Sequence, residues 1–329
     1  MSKKLADVLI VGGGHNGLVS AIYLARSGLK VTVLEEKSVV GGATKTEYPF
    51  TKAPNLGTST GSYLLGVMPP EILQDLNANI NLIRRDPHYF LPTLDGRYLL
   101  FGSDKQEMQR QFYKFFSEQD WKANQALADE IGHIRDDLAP SWVEEPLSLS
   151  HTADKYIRPS LREIFMNLVR NPVEDYLSRF GFKSELLMSM YAVTDGFSGL
   201  TGSFGTPGTG MNFLVHNMCR LPGADGSWMI VEGGMGSIST ELARLAIQAG
   251  ATIRTDTKVE AILTKGERES EKEREREGGQ VEGVRVQGGE EISAEIVLCN
   301  TDPFRMRKLV GSNKFSHSFN TRLDNMKRY

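Results

Sequence analysis

Three glycines and one carboxylate carry the first chemistry legible in this chain: Gly12, Gly14, Gly17 and Glu35. The glycines stand at G-x-G-x-x-G spacing, which suits a backbone turn closing around a pyrophosphate. Gly12 makes the tight turn, Gly14 lets the backbone approach the phosphates, and Gly17 lets a helix pack on the preceding strand. Glu35 is placed to accept hydrogen bonds from a ribose diol. The plainer alternative is a glycine turn in an ordinary βαβ unit.

The flanking elements decide between the two. Asp7-Val8-Leu9-Ile10-Val11 ends in four apolar residues, the pattern of a parallel strand buried on both faces. Gly12-Gly13-Gly14-His15-Asn16-Gly17 follows, and then Leu18, Ala21, Ile22 and Ala25 fall on one helical face, with Gly28 as the stop. Lys30-Val31-Thr32-Val33-Leu34-Glu35 is a second strand ending on the acid. Strand, glycines, helix, strand and acid in that order are the context a dinucleotide fingerprint requires, with Gly13 and Asn16 inside the same turn. No arginine adjoins Glu35, which disfavours a 2′-phosphate and leaves FAD or NAD.

A second glycine pair lies just beyond the acid, in Val40-Gly41-Gly42-Ala43. By itself it marks another place where backbone must lie close to a ligand. The arrangement resembles the FAD-binding oxidoreductases of the glutathione-reductase and amine-oxidase superfamily, in which such a doublet lines the pyrophosphate and flavin side. FAD is therefore the expected cofactor.

The 329 residues suffice for two domains or one elaborated domain. Charged residues are 24% and the net charge is −3, so nothing suggests a nucleic-acid surface. The two cysteines, Cys219 and Cys299, make no C-x-x-C, and the scattered histidines have no metal-type spacing. No apolar run approaches the ~18 residues of a membrane span. Met1-Ser2-Lys3-Lys4 passes straight into the first strand, so no leader is expected, and the chain reads as intracellular, soluble or peripheral.

Lys45 to Gly66 reads as irregular loop, and Pro69-Pro70-Glu71 opens a short helix through Leu76. His88 to Pro92 and Arg97 to Phe101 read as a hairpin around Asp95-Gly96. From Asp104 to Tyr191 the pattern is helical: Leu127, Ile131, Ile134 and Leu138 form one stripe, Leu161, Ile164, Phe165 and Leu168 another, Val173, Tyr176, Leu177 and Phe180 a third. Asp195 to Gly210 holds six glycines in sixteen residues and reads as a loop, either plain surface or backbone laid against a cofactor or substrate. Trp228 to Gly236 leads into a helix carrying Leu242, Leu245 and Ala249, then a strand at Thr252-Ile253-Arg254. Lys258 to Leu263 and Val281 to Val286 read as strands joined through Lys265 to Glu277, which sets six glutamates against five Lys or Arg and is expected to be solvated. Ile292 to Asn300 reads as one strand returning to the sheet, and Thr301 to Tyr329 as a polar stretch without a structural close.

Several motifs together resemble the phytoene-desaturase-like flavoproteins: Gly12-Gly13-Gly14-His15-Asn16-Gly17-Leu18, Val40-Gly41-Gly42-Ala43, Val231-Glu232-Gly233-Gly234-Met235-Gly236, and Val297-Leu298-Cys299-Asn300 before Thr301-Asp302-Pro303. The similarity runs from Asp7 to about Pro303, apart from the charged insert. It implies an α/β fold, a Rossmann-like FAD-binding domain interrupted by an α+β substrate domain. The implied division is 1–80 and 226–303 for FAD binding, 81–225 for the substrate domain, and 304–329 as the start of a further substrate-domain segment. The resemblance assigns Gly12, Gly14 and Gly17 to the pyrophosphate, Glu35 to the adenosine ribose, Gly41, Gly42 and Ala43 to the phosphate and flavin side, and the Val259 backbone to adenine. Relatives of this type continue past residue 329 with a late glycine-rich segment that nothing after Asn300 resembles, so a shortened chain is expected.

The activity implied is hydride transfer between a lipophilic, carotenoid- or isoprenoid-like substrate and the flavin. A disulphide reductase is disfavoured, because it needs a redox-active cysteine pair and a second nucleotide fold. No side chain stands out as catalytic acid or base, and the electron acceptor is not indicated. A flavin amine oxidase and a non-catalytic FAD-binding or interaction protein are the alternatives. Peripheral membrane contact would suit a lipophilic substrate, and the resemblance also admits a mitochondrial location.

Overall fold

A computed structural model describes residues 6–191, 202–224, 226–265 and 280–326. The chain divides into two compact units: 1–63, 76–81 and 231–329 form one, 64–75 and 82–230 the other. Residues 64–75 therefore belong with the helical unit, and 304–326 with the sheet unit.

The sheet unit is built on a four-stranded parallel sheet. Its order is Ile296–Cys299, β1 (Val8–Val11), β2 (Val31–Leu34) and Thr252–Arg254. Val8 pairs with both Val31 and Ile296, so β1 is central. Every residue of β1 and β2 is buried, and the two faces of the sheet show why. Leu9, Val11 and Leu34 pack with Val259, Ile262, Val284, Val286 and Ile292 of an antiparallel meander formed by Val259–Thr264, Val281–Val286 and Glu291–Ser293. Two helices, α1 (His15–Arg26) and Gly236–Gln248, pack against each other. Helix α1 buries Leu18, Ala21, Ile22 and Ala25, the face its spacing predicts, and Gly28 follows it at φ +90°. A strand with both faces covered has no polar side to show, hence the unbroken apolar run.

Two expectations for this unit are corrected. Ile292 to Asn300 is not one strand. Glu291–Ser293 completes the meander and Ile296–Cys299 joins the parallel sheet, with Ala294 and Glu295 as the corner. The corner is held by Ala294 N–H to the Glu282 carbonyl and Ile296 N–H to the Asp7 carbonyl, both at 3.1 Å. The polar stretch after Asn300 does have a structural close, as far as residue 326. Asp302 caps a helix over Pro303–Val310, accepting from Arg305 N–H at 2.9 Å, and a second helix spans His317–Met326. The first of these helices buries no residue and the second only Leu323, so neither carries the hydrophobic stripe on which a helix is usually recognised.

The helical unit contains the expected hairpin, Tyr89–Pro92 against Tyr98–Phe101. Helices at Lys105–Phe115, Glu118–Leu138, Leu149–Tyr156, Arg162–Arg170, Val173–Ser178, Glu185–Tyr191 and Thr209–His216 follow. The three apolar stripes meet in one core around Leu127, Ile134, Leu168, Leu177 and Phe213. Asp104, Ser117 and Ser148 cap three of the helices through their side chains. Asp120 is buried as well, because its carboxylate accepts the Lys183 and Ser184 amides.

The glycine-rich stretch also needs correction at its end. Residues 195–201 lie outside the described part, as do residues 266–279 of the charged run. Gly208 adopts φ +87°, and the chain is helical from Thr209 onward. A Cβ on Gly210 would meet the Leu168 carbonyl oxygen at 2.0 Å. That glycine therefore serves close helix packing rather than loop freedom. Among the described residues, no helix is long and apolar enough to cross a membrane.

Candidate dinucleotide site

The site is assembled where β1 hands over to α1. Gly12 turns at φ +101°, and its N–H donates to the Leu34 carbonyl at 2.8 Å. The next amide, Gly13 N–H, donates to Glu35 Oε2 at 2.8 Å, and Lys37 N–H donates to Glu35 Oε1 at 2.9 Å. Glu35 is buried at 7% exposure, so these two bonds aim its carboxylate at the mouth of the turn.

No side chain caps the first amides of helix α1. Gly14 is the N-cap and supplies no side chain, and the first turn contains no acid. The first intrahelical bond runs from Leu18 N–H to the Gly14 carbonyl at 3.0 Å, which leaves the amides of His15, Asn16 and Gly17 at the positive end of the helix. Burial pushes the His15 imidazole below its usual value, so it is neutral near pH 7. The attraction for an anion at this turn is therefore dipolar, from backbone amides.

Gly17 is fixed by contact. A Cβ there would lie 2.5 Å from the Gly12 carbonyl oxygen and 2.6 Å from Asn300 Nδ2. Asn300 follows the strand Ile296–Cys299, and its Nδ2 donates to the Gly12 carbonyl at 3.1 Å. Sequence reasoning did not single it out for the site. Its signal was available: it is the first polar residue past the carboxyl end of a parallel strand, where open α/β sheets place their ligands.

The second glycine pair reaches the first directly. Gly14 and Gly41 form a parallel β-bridge, and Gly41 N–H donates to the Gly13 carbonyl at 2.8 Å. Gly41 and Gly42 have φ +125° and +58°, and a Cβ on Gly42 would stand 3.4 Å from Gly14 Cα. A buried clamp holds the doublet in place. The Thr44 hydroxyl donates to the Gly41 carbonyl at 2.7 Å, and the Ser239 hydroxyl donates to the Thr44 carbonyl at 2.6 Å. Ser239 is a further residue that the sequence did not mark. Ala43 and Asn16 are exposed at the rim.

Val259 stands apart from this group. Its side chain belongs to the meander core, at 6% exposure. The segment just before it is tied to the acid by Thr257 N–H to the Glu35 carbonyl at 2.8 Å and Asp256 N–H to the Lys37 carbonyl at 2.9 Å. Cys219 and Cys299 are free thiols in separate units.

Residues 17–325 match the profile of the flavin containing amine oxidoreductase family. The chain belongs to that family. Pyridine nucleotide-disulfide oxidoreductase domain-containing protein 2 of Rattus norvegicus is 31% identical over 326 residues, covering 90% of this chain and 53% of that protein. The phytoene desaturase of Cercospora nicotianae is 24% identical over 310 residues, covering 92% of this chain and 46% of that protein. The PF1083 protein of Pyrococcus furiosus shares the fold with a TM-score of 0.60 at 19% identity, covering 96% of this chain and 64% of that structure. The chain thus spans about half the length of the curated relatives it matches. Membership of a flavin-containing family accords with the four-stranded parallel sheet and the glycine turn at its carboxyl edge.

Proposed function

We propose that this chain binds FAD through the Gly12–Gly17 turn and the Gly41–Gly42 doublet, and acts as a flavin-dependent oxidoreductase on a lipophilic substrate. The observation that carries the reading is the Gly14–Gly41 bridge, which makes two separate glycine signals into one cradle. The residues fit the group: a Cβ on Gly17, Gly41 or Gly42 would fill space that the turn leaves to backbone.

In this reading the amides of His15, Asn16 and Gly17 face the pyrophosphate. Glu35 keeps unused lone pairs on both carboxylate oxygens for the ribose hydroxyls. The Val259 backbone would offer the contact to adenine that the family resemblance implies. Gly41, Gly42 and Ala43 would hold the phosphate and flavin side. Bound FAD supplies the two-electron chemistry, and the chain's part is to bind, orient and shield it from water. The lipophilic substrate rests on the phytoene-desaturase resemblance. Amine oxidation is the second reading, favoured by the family match over 17–325.

The test is a visible absorbance spectrum of the purified chain, followed by heat release and quantitation of flavin. Oxidised-flavin peaks at close to one FAD per chain are expected. Anaerobic bleaching by isoprenoid alkenes but not by amines then selects between the two readings. A colourless protein that takes up no added FAD would overturn both.

A further inference from the structure

Arg85 of the helical unit has no counter-ion among the described residues. Arg85 donates from Nε to the Trp228 carbonyl at 3.0 Å, and no carboxylate among the described residues lies within ion-pair distance of its guanidinium. The adjacent acid is engaged elsewhere: Asp86 accepts the Ser103 N–H at 2.9 Å and the Ser103 hydroxyl as well. With Nε committed to Trp228, the remaining guanidinium donors keep the planar geometry that suits a carboxylate.

His216 is linked to Arg85 through Trp228, and His88 follows it by three residues. His216 is stacked on Trp228, with ring centroids 5.1 Å apart and planes 26° from parallel, and Trp228 Nε1–H donates to the His216 carbonyl at 2.9 Å. Gly66 lies close against the same indole, where a Cβ would meet it at 2.4 Å. The position of Trp228, and with it that of Arg85, is thus tightly set. His88 is held by its N–H to the Phe101 carbonyl at 2.7 Å, and its Nδ1 is buried with no hydrogen-bond partner. Burial first, and then the charge of Arg85, hold both imidazoles below their usual value. Ile83, Tyr89 and Phe90, which bracket Arg85 and His88 in the chain, are exposed apolar side chains.

We propose that Arg85, with His88 and His216, anchors the carboxylate of an amphipathic substrate whose aliphatic part lies on neighbouring apolar surface. The inference rests on the lipophilic-substrate reading and narrows it to lipophilic acids. A planar guanidinium matches a carboxylate bidentately, and neutral imidazoles add donors without a competing charge.

The experiment is a binding titration of the 329-residue chain with dodecanoate, dodecanol, dodecylamine and acetate, read by tryptophan fluorescence and by calorimetry. Dodecanoate is expected to bind roughly tenfold or more tightly than dodecanol, the worth of a charge-assisted hydrogen bond. Arg85→Gln should abolish that preference while dodecanol affinity is unchanged, and Arg85→Lys should restore part of it. Equal binding of acid and alcohol to the native chain would overturn the proposal, whatever the variants do. So would an unchanged preference in Arg85→Gln, or acetate binding as tightly as dodecanoate, which would mark a bare anion site. Flavin content measured on the same samples keeps the outcomes separate: retained FAD with no preference for the acid sinks only the anchor, and loss of FAD leaves the head-group result standing.

Discussion

Gly13 and Glu35 are joined by a buried hydrogen bond of 2.8 Å from the Gly13 amide to Oε2, across 22 residues of chain. The glycine turn and the acid are therefore one object, built by the parallel pairing of β1 with β2. The carboxylate already accepts two backbone amides, from Gly13 and Lys37, before any ribose is considered.

Glu35→Gln tests that arrangement. A carboxamide offers one acceptor oxygen where two amides must be satisfied, and turns an N–H₂ toward the other. Leaving one buried donor unsatisfied costs about 1–3 kcal/mol. We expect this loss in thermal melts of the flavin-free protein, together with lower FAD retention on gel filtration. A melt superimposable on the native one would show that the two bonds contribute nothing to stability.

Gly17→Ala addresses the helix approach. The added methyl would sit 2.5 Å from the Gly12 carbonyl oxygen, a backbone atom that moves only if the turn opens. Overpacking of this kind costs about 1–3 kcal/mol. Flavin content should fall with the melting temperature. Full flavin content in a stable Gly17→Ala protein would contradict the geometry of the turn.

Ser239→Ala removes the clamp behind the doublet. The Ser239 hydroxyl donates to the Thr44 carbonyl at 2.6 Å and lies 2.7 Å from Thr44 Oγ1, all of it buried. Its loss is expected to cost about 1 kcal/mol and to speed flavin dissociation, because Thr44 in turn positions Gly41. Stopped-flow release of FAD from native and variant protein would measure the change.

Acid stability should depend on Asp137. The Arg158 guanidinium donates to it at 2.7 Å from both Nε and Nη2, and with the Arg158 amide at 3.0 Å holds the carboxyl below its ordinary value. A lowered folded-state value means stability that is fully present above the unfolded value of 3.8 and lost as pH falls through the lower folded one. Arg158 is 39% exposed, and solvent screening holds the expected contribution to about 1 kcal/mol. Asp137→Asn should therefore lower stability at pH 7 and reduce the acid-side slope of denaturant midpoints measured below pH 4. An unaltered slope would remove this pair from the acid response.

How much of this was legible beforehand follows from the range of each interaction. The strand, turn, helix, strand and acid from Asp7 to Glu35 were readable because each rests on neighbours in the chain: an apolar run, glycines at fixed spacing, a helical stripe. The hairpin around Asp95-Gly96 and the helix face of Leu127, Ile131, Ile134 and Leu138 are local in the same way. Local pattern failed where a partner from elsewhere decides the structure. Ile292 to Asn300 reads as one strand because no Gly or Pro interrupts it, yet its two ends pair with different sheets. Gly210 reads as loop, while its cause is the Leu168 carbonyl.

By itself, then, the sequence determined the glycine turn, its acid and the helix that follows, because backbone sterics and hydrophobic periodicity act within a few residues. Only the tertiary structure decided that Gly14 meets Gly41, that Asn300 closes on Gly12, that Ser239 braces Thr44 and that Arg85 has no counter-ion among the described residues. Each of these depends on groups brought together by packing, and spacing along the chain holds no record of which distant atom will satisfy a buried donor or leave a charge alone.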